Sequence, residues 1–201
     1  TSYIIKDIQK NYDYLYYFRN IPRLGHDKNI LNTLTLPESE YVWLLGDSVF
    51  LKKNAIKNTL RLITQIRPDI VSVNAKNRDL DIKTAYYKKS NNVFNDLGWH
   101  LTLTGASIYS QRVISTINEI DPQCCTNFPQ IALIFNYLSK HCSFYWINNK
   151  WVLIDEKITR KSYWINNIFQ VFIDDFSNAI RNLPVCYNVE KEKVILKHSR
   201  K

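Results

Sequence analysis

Asp47 is the residue whose sequence setting best suits it to meet a ligand. It closes the run Tyr41-Val42-Trp43-Leu44-Leu45-Gly46-Asp47-Ser48, in which five apolar residues give way at once to a glycine and a carboxylate. Aromatic, β-branched and aliphatic residues without alternation suit a strand buried on both faces, the usual condition of a central strand in a mostly parallel sheet. Such a strand delivers its last residue to the carboxyl edge of the sheet, where open α/β folds bind ligands. Asp47 is therefore the first candidate for chemistry.

The flanking segments read as the elements that would position it. A hydroxyl cap at Thr1 or Ser2 and apolar residues at helical spacing predict a first helix. Residues 15–18 read as a short buried strand, 19–25 as a Pro- and Gly-punctuated loop, and 26–36 as a helix returning across the sheet. After Asp47, Ala55, Ile56, Leu60, Ile63 and Ile66 mark one face of a helix that Pro68 ends, and Ile70-Val71-Ser72-Val73 is the next strand. Strand, helix, strand in this order predicts βαβ crossovers and a parallel sheet covered by helices. Further on, 81–87 and 102–109 read as strands, 91–97, 111–120 and 128–138 as helices, and 144–154 as a hairpin turning at Asn148-Asn149-Lys150. Residues 162–181 read as one long helix with an aromatic face. The division expected is a core over residues 1–160 with a C-terminal helix and basic tail over 161–201 packing on it.

Composition narrows the class. A chain of 201 residues, 45% hydrophobic and 13% aromatic, can bury a sizeable core and is far from a disordered composition. With 27 Lys and Arg against 18 Asp and Glu, its +9 charge favours anionic partners: nucleotide phosphates, nucleic acid or anionic lipid. Cys124, Cys125, Cys142 and Cys186 match neither a zinc ribbon nor a small secreted disulfide framework, so reduced thiols and a cytoplasmic setting are expected. No stretch has the apolar length of a membrane span, and no signal-peptide pattern opens the chain.

Three pieces in order, Tyr17-Phe18-Arg19-Asn20, Leu24-Gly25-His26-Asp27-Lys28-Asn29-Ile30 and Glu40-Tyr41-Val42-Trp43-Leu44-Leu45-Gly46-Asp47, resemble the middle of glycosyltransferase family 2. The resemblance covers about fifty residues and fades after Val73. It implies a GT-A fold: α/β, a mixed, mostly parallel sheet flanked by helices, with a helical C-terminal part. It also implies transfer of a sugar from a nucleotide-sugar donor to a saccharide or lipid-linked acceptor in bacterial surface-polysaccharide or lipopolysaccharide synthesis, with inversion. On this alignment Thr1-Ser2 follows the family's second strand, so the first strands and the acid that recognises the nucleobase would lie outside these residues.

The family's acidic box is Asp-x-Asp, its first carboxylate meeting the ribose and its last holding Mn²⁺ or Mg²⁺ across the diphosphate. Here the box is Asp47-Ser48-Val49. Asp47 matches the first position, with Gly46 and Ser48 beside it on the donor, whereas Val49 cannot bind metal. That departure counts against a divalent cation held by Asp47. Arg23, Gly25, His26, Lys28 and Asn29 would meet the donor diphosphate through cationic groups and helix N-terminal amides, although Arg23 reads equally, and Lys28 more readily, as an ordinary surface cation.

Inverting members place a carboxylate base at a late helix start. The corresponding Asn127-Phe128-Pro129-Gln130 carries no acid. Asp121 is the substitute base and Asp96 the runner-up, while Asp121-Pro122 also reads as a simple turn. Trp99, His100 and Thr104 would line the acceptor pocket, the indole stacking on a sugar face, although a core histidine beside a packing tryptophan explains His100 as well. The basic segment 191–201 suggests peripheral contact with anionic membrane, against the plainer reading of a frayed tail. Two other functions compete. A nucleic-acid-binding module is disfavoured because the cations are dispersed and the aromatics sit in apolar runs. A catalytically silent scaffold of the same fold is favoured by the weakened box and the missing base.

Overall fold

The sheet is organised around the apolar run that begins at Ile70. In the computed structural model, which describes residues 2–76, 78–121, 123–154 and 165–199, the elements follow in chain order. They are α1 (Ser2–Gln9), α2 (His26–Thr35), β1 (Tyr41–Trp43), β2 (Val49–Leu51), α3 (Ala55–Ile66), β3 (Ile70–Ala75), β4 (Ala85–Tyr87) and α4 (Ser90–Leu97). Then come β5 (Ser107–Ser110), α5 (Gln111–Ile114), α6 (Pro129–Lys140), β6 (Phe144–Ile154), α7 (Phe176–Arg181) and α8 (Asn188–Ser199).

β3 is buried at every position and pairs with β5 on one side and β6 on the other. The strand order is β1-β5-β3-β6-β2, with β4 also on β6. The mixed α/β architecture agrees with the sequence reading, but the sheet is not mostly parallel. Among the described strands β3 and β6 are parallel neighbours, whereas β1–β5, β3–β5, β2–β6 and β4–β6 are antiparallel. The crossover from β1 through α3 to β3 does bring two strands back in the same direction. β5 then inserts antiparallel between them, a step that no local pattern announces.

Other expectations change for similar reasons. The Tyr41 strand is a short edge strand with Val42 alone buried, not a central one. Its two aromatics pin it in place: Tyr41 OH donates to Pro68 O (2.9 Å) and Trp43 Nε1 donates to Gly105 O (2.8 Å). Residues 15–18 are coil, Leu15 half-buried and Tyr16 71% and Phe18 62% exposed, because no described strand offers them a ladder. Residues 102–106 lie outside β5, and 111–120 hold only α5 and a short 3₁₀ turn. The expected hairpin over 144–154 is one strand, β6, bulged where Val73 faces Ile147 and Asn74 faces Lys150. Asn74 is the cause: its buried amide donates to Asn148 Oδ1 (2.8 Å), which draws the extra residues into the sheet instead of a turn. Within 162–181, residues 162–164 lie outside the described set and the remainder is a 3₁₀ turn, a π-helical turn and α7.

The helices pack in two layers. α6 is apolar nearly all round, starts on Pro129, and is buried from Pro129 to Leu138 except at Asn136. It forms the centre of the main core with Val93, Phe94 and Leu97 of α4, Phe176 and Ile180 of α7, and Val194 and Ile195 of α8. The opposite sheet face carries α3, with Ile63 packed on Val71, Val73 and Ile108. α3 ends as the sequence suggests: Arg67 takes a left-handed φ of 49° and donates its N–H to Ile63 O before Pro68. The basic tail is no frayed end over 191–199. Those residues continue α8, and the Lys191 ammonium donates to Arg181 O and Leu183 O, satisfying carbonyls at the end of α7. No described helix is long and apolar enough to cross a membrane.

Candidate active site

β1 ends at Trp43, and Leu44 to Ser48 carry the chain over the sheet edge into β2. The reversal is closed by Val49 N–H donating to Gly46 O (3.1 Å), which puts Asp47 at an exposed turn and leaves Ser48 half-buried. Beneath this turn lies Gly105, whose φ of 103° is a conformation L side chains rarely adopt. A Cβ on Gly105 would stand 3.3 and 3.4 Å from the Val49 methyl carbons and 3.7 Å from Leu45. The Asp47 turn therefore rests on the segment leading into β5, and Thr104 adjoins the same place. Gly46, Asp47 and Ser48 form this turn, and Thr104 precedes the Gly105 on which it rests.

The Val49 side chain faces Gly46 and Gly105 and is wedged between glycines. Among the described residues no three of His, Cys, Asp or Glu gather in a group that would hold a metal ion. Asp47 is thus the one carboxylate of the box, and this set fits a tightly held divalent cation poorly.

The second group of candidates clusters at the N-terminus of α2. Gly25 precedes the helix with φ 78°, where no L side chain is comfortable, and its carbonyl accepts Asn29 N–H (3.1 Å). His26 Nδ1 lies 2.7 Å from Asp27 Oδ1, while Asp27 Oδ2 accepts the backbone N–H of Asn127 (3.0 Å). Asn29 Oδ1 accepts Asn20 Nδ2 (2.7 Å). Asp27 thereby ties the first turn of α2 to the loop ahead of α6, Asn29 holds the preceding loop at Asn20, and Arg23 is exposed.

The carboxylates considered for the base differ in setting. Asp121 heads a tight turn, its Oδ1 accepting Gln123 N–H (2.9 Å) and its carbonyl accepting Cys124 N–H (3.1 Å), which is the turn role its sequence context also suggested. Asp96, on α4, accepts the Tyr87 hydroxyl (3.0 Å). Burial first, and then this bond, push the Tyr87 phenol well above its ordinary value. Asp96 also borders a narrow crevice with Trp99, His100, Lys197 and His198.

Trp99 and His100 are not an open sugar platform. His100 is 1% exposed, donates from Nε2 to Val73 O (2.9 Å) and meets Trp146 edge-on at 5.0 Å. Burial pulls its pKa down to about 4, so the ring is neutral at pH 7. The Trp99 ring carries the Arg78 guanidinium 4.2 Å from its centroid, stacks with His198 at 3.5 Å, and takes the edges of Phe172 and Phe176. Both side chains are committed to packing, which overturns their expected acceptor contacts.

Sequence reasoning missed what shapes this sheet edge. Asn74, fully buried at the end of β3, donates to Asp79 Oδ1, Leu80 O and Asn148 Oδ1, and its Oδ1 accepts Ala75 and Leu80 N–H. Arg78, half-buried, donates to Trp99 O (3.1 Å) and Thr102 Oγ1 (2.6 Å), and desolvation lowers its pKa to about 10 without discharging it at pH 7. Gln130, in the first turn of α6, is 4% exposed and donates from Nε2 to Thr102 O (2.8 Å). The available signal was an asparagine one residue before the end of a largely apolar strand, with Lys-Asn-Arg-Asp following Ala75.

No protein-family model matches the sequence, and no curated protein matches it. Solved structures share its fold. Residues 1–349 of S. aureus TarS superpose with a TM-score of 0.53 at 12% identity, covering 88% of this chain and 50% of TarS. The same protein in complex with UDP-GlcNAc gives 0.56 at 11%, covering 87% and 52%, and in complex with UDP 0.54 at 13%, covering 87% and 50%. This chain has a GT-A-like fold. It spans about half the length of each TarS structure.

Proposed function

We propose that this chain is the core of a glycosyltransferase of the family 2 type, moving a sugar from a nucleotide-sugar donor to a saccharide or lipid-linked acceptor in bacterial surface-polysaccharide synthesis. The observation that carries this reading is the Asp47 turn at the end of β1, in a fold shared with TarS structures of which one is in complex with UDP-GlcNAc. In this reading the Asp47 carboxylate accepts hydrogen bonds from ribose hydroxyls, and Ser48 adds one more. Arg23, His26 and the first amides of α2 meet the diphosphate, where N–H groups and cations favour negative charge. A carboxylate, Asp121 or Asp96, takes the proton of the acceptor hydroxyl as its oxygen attacks the anomeric carbon and the nucleoside diphosphate departs on the opposite face. A peripheral position at an anionic membrane suits the +9 charge.

Gln130 favours a second reading, a scaffold that binds without turning over. It occupies the helix start where the family pattern calls for an acid, and an amide takes no proton at neutral pH. A thermal-shift screen against UDP, GDP, CMP and dTDP, with and without Mn²⁺, tests both. Stabilisation by one nucleotide with donor turnover supports the transferase, and stabilisation without turnover supports the scaffold. No response to any nucleotide overturns both. Dependence of the shift on Mn²⁺ would mean that Asp47 holds a cation despite Val49.

A further inference from the structure

Cys124 and Cys125 follow Asp121, whose carbonyl accepts the Cys124 N–H (3.1 Å), and their geometry has a chemistry of its own. Their Sγ atoms lie 3.6 Å apart in the loop ahead of α6. The two thiols are not alike: Cys124 is half-buried, whereas Cys125 is 2% exposed, with Sγ 3.6 Å from Ala179 O in the main core. The contact between the two sulfurs lowers the Cys124 pKa and so favours a thiolate on the outer sulfur, although burial and the Asp121 carboxylate oppose the shift. The same contact and burial hold Cys125 as the thiol. An accessible sulfur with thiolate character beside a second sulfur is the arrangement that attacking and resolving cysteines require.

We propose that Cys124 and Cys125 are a redox-active vicinal thiol pair, oxidised by a small-molecule disulfide to an intrachain disulfide and reset by reduction. The Cys124 thiolate attacks one sulfur of the reagent, forming a mixed disulfide and expelling a thiolate. Cys125 then attacks the Cys124 sulfur, its proton passing to the second departing thiolate. Two cysteine sulfurs are oxidised by two electrons in total, and one disulfide is reduced to two thiols.

Geometry makes this bond reversible rather than structural. Adjacent Cα atoms across a trans peptide are about 3.8 Å apart, short of the roughly 4.4 to 6.8 Å that disulfides usually span. Closing the sulfurs from 3.6 Å to about 2.0 Å strains the intervening peptide, and strained disulfides are easily reduced. The strain has somewhere to go. Cys124 O accepts Asn182 Nδ2 (2.8 Å) beyond α7, Asn127 N–H holds Asp27 at the first turn of α2, and Asn127 Nδ2 donates to Asp175 (2.7 Å). Oxidation therefore loosens the tether at the start of α2.

The test is mass spectrometry of the pre-reduced protein after exposure to oxidised glutathione and alkylation of remaining thiols. The expected product lacks two hydrogens on the peptide carrying Cys124 and Cys125, has alkylated Cys142 and Cys186, and returns to the reduced form with dithiothreitol. Cys124→Ser should abolish it and Cys186→Ser should not. Because oxidation alone does not prove a preformed pair, phenylarsine oxide, which bridges two adjacent thiols, should bind the reduced protein one to one and fail with Cys124→Ser. Persistence of a glutathione adduct on Cys124, or full alkylation of all four cysteines after oxidation, would overturn the proposal. Neither result depends on the transferase reading, which the nucleotide screen tests separately.

Discussion

Replacing Asn74 with Asp keeps size and shape and changes only the hydrogen bonding and the charge, so its effect can be worked out from the structure. The wild-type amide nitrogen donates at 2.9, 2.9 and 2.8 Å to Asp79 Oδ1, Leu80 O and Asn148 Oδ1. A carboxylate there would present an acceptor to three acceptors, while its other oxygen could still take the Ala75 and Leu80 N–H groups. The amide has two hydrogens to share among these three acceptors, so two bonds at about 1 kcal/mol each set a loss of at least roughly 2 kcal/mol, before any cost of burying the charge. Against a total stability of about 5 to 15 kcal/mol this is large, and for a domain of this size it corresponds to a fall in melting temperature of roughly 4 to 8 °C. The pH dependence gives the sharper check. Burial and the neighbouring Asp79 would raise the new carboxyl's folded pKa above its unfolded value. Protonation in the folded state then relieves the penalty, which is fully present above the folded pKa and shrinks as pH falls towards the unfolded one. Thermal melts of Asn74→Asp and wild type at pH 7 and pH 5 should show the gap narrowing in acid. A wild-type melting temperature at pH 7, or a gap that does not change with pH, would refute the role given to Asn74.

Asp47→Ala should abolish nucleotide-induced stabilisation and leave the unliganded melting temperature within about 1 °C, since a surface substitution is usually worth less than 0.5 kcal/mol; an unchanged nucleotide response would remove Asp47 from the site. Gly105→Ala should cost about 1 to 2 kcal/mol, from its positive φ and the approach to Val49 at 3.3 Å. Adding Val49→Ala should recover only the contact part, a coupling read from urea melts of the two single variants and the double. His100, neutral when folded with a pKa near 4 against an unfolded value of 6.5, makes the native state lose stability as pH falls through that window. Urea melts of wild type and His100→Gln from pH 7 to pH 4.5 should diverge from that cause, and parallel curves would exclude it.

Much of the frame was legible because its signals are local. α3 reads directly from apolar spacing and ends at Arg67 and Pro68, and α6 reads from its apolar run behind Pro129. The Gly46-Asp47 stop after β1 marked the sheet edge correctly. Trp99 and His100 were misjudged for the opposite reason. An aromatic beside a histidine looks the same in sequence whether it faces a sugar or Arg78, His198 and Trp146.

The sequence by itself determined where apolar runs begin and stop, because burial periodicity and breaker residues act within a few positions of one another. It therefore determined that a carboxylate follows a strand at Asp47 and that a helix starts at Pro129 without an acid. Only the tertiary structure decided that β5 enters antiparallel between β1 and β3, that Gly105 lies under the Asp47 turn, and that Asn74 gathers Asp79, Leu80 and Asn148. Strand neighbours and the partners of a buried amide are chosen among groups far apart in the chain, by which arrangement buries the apolar faces while leaving each polar group satisfied.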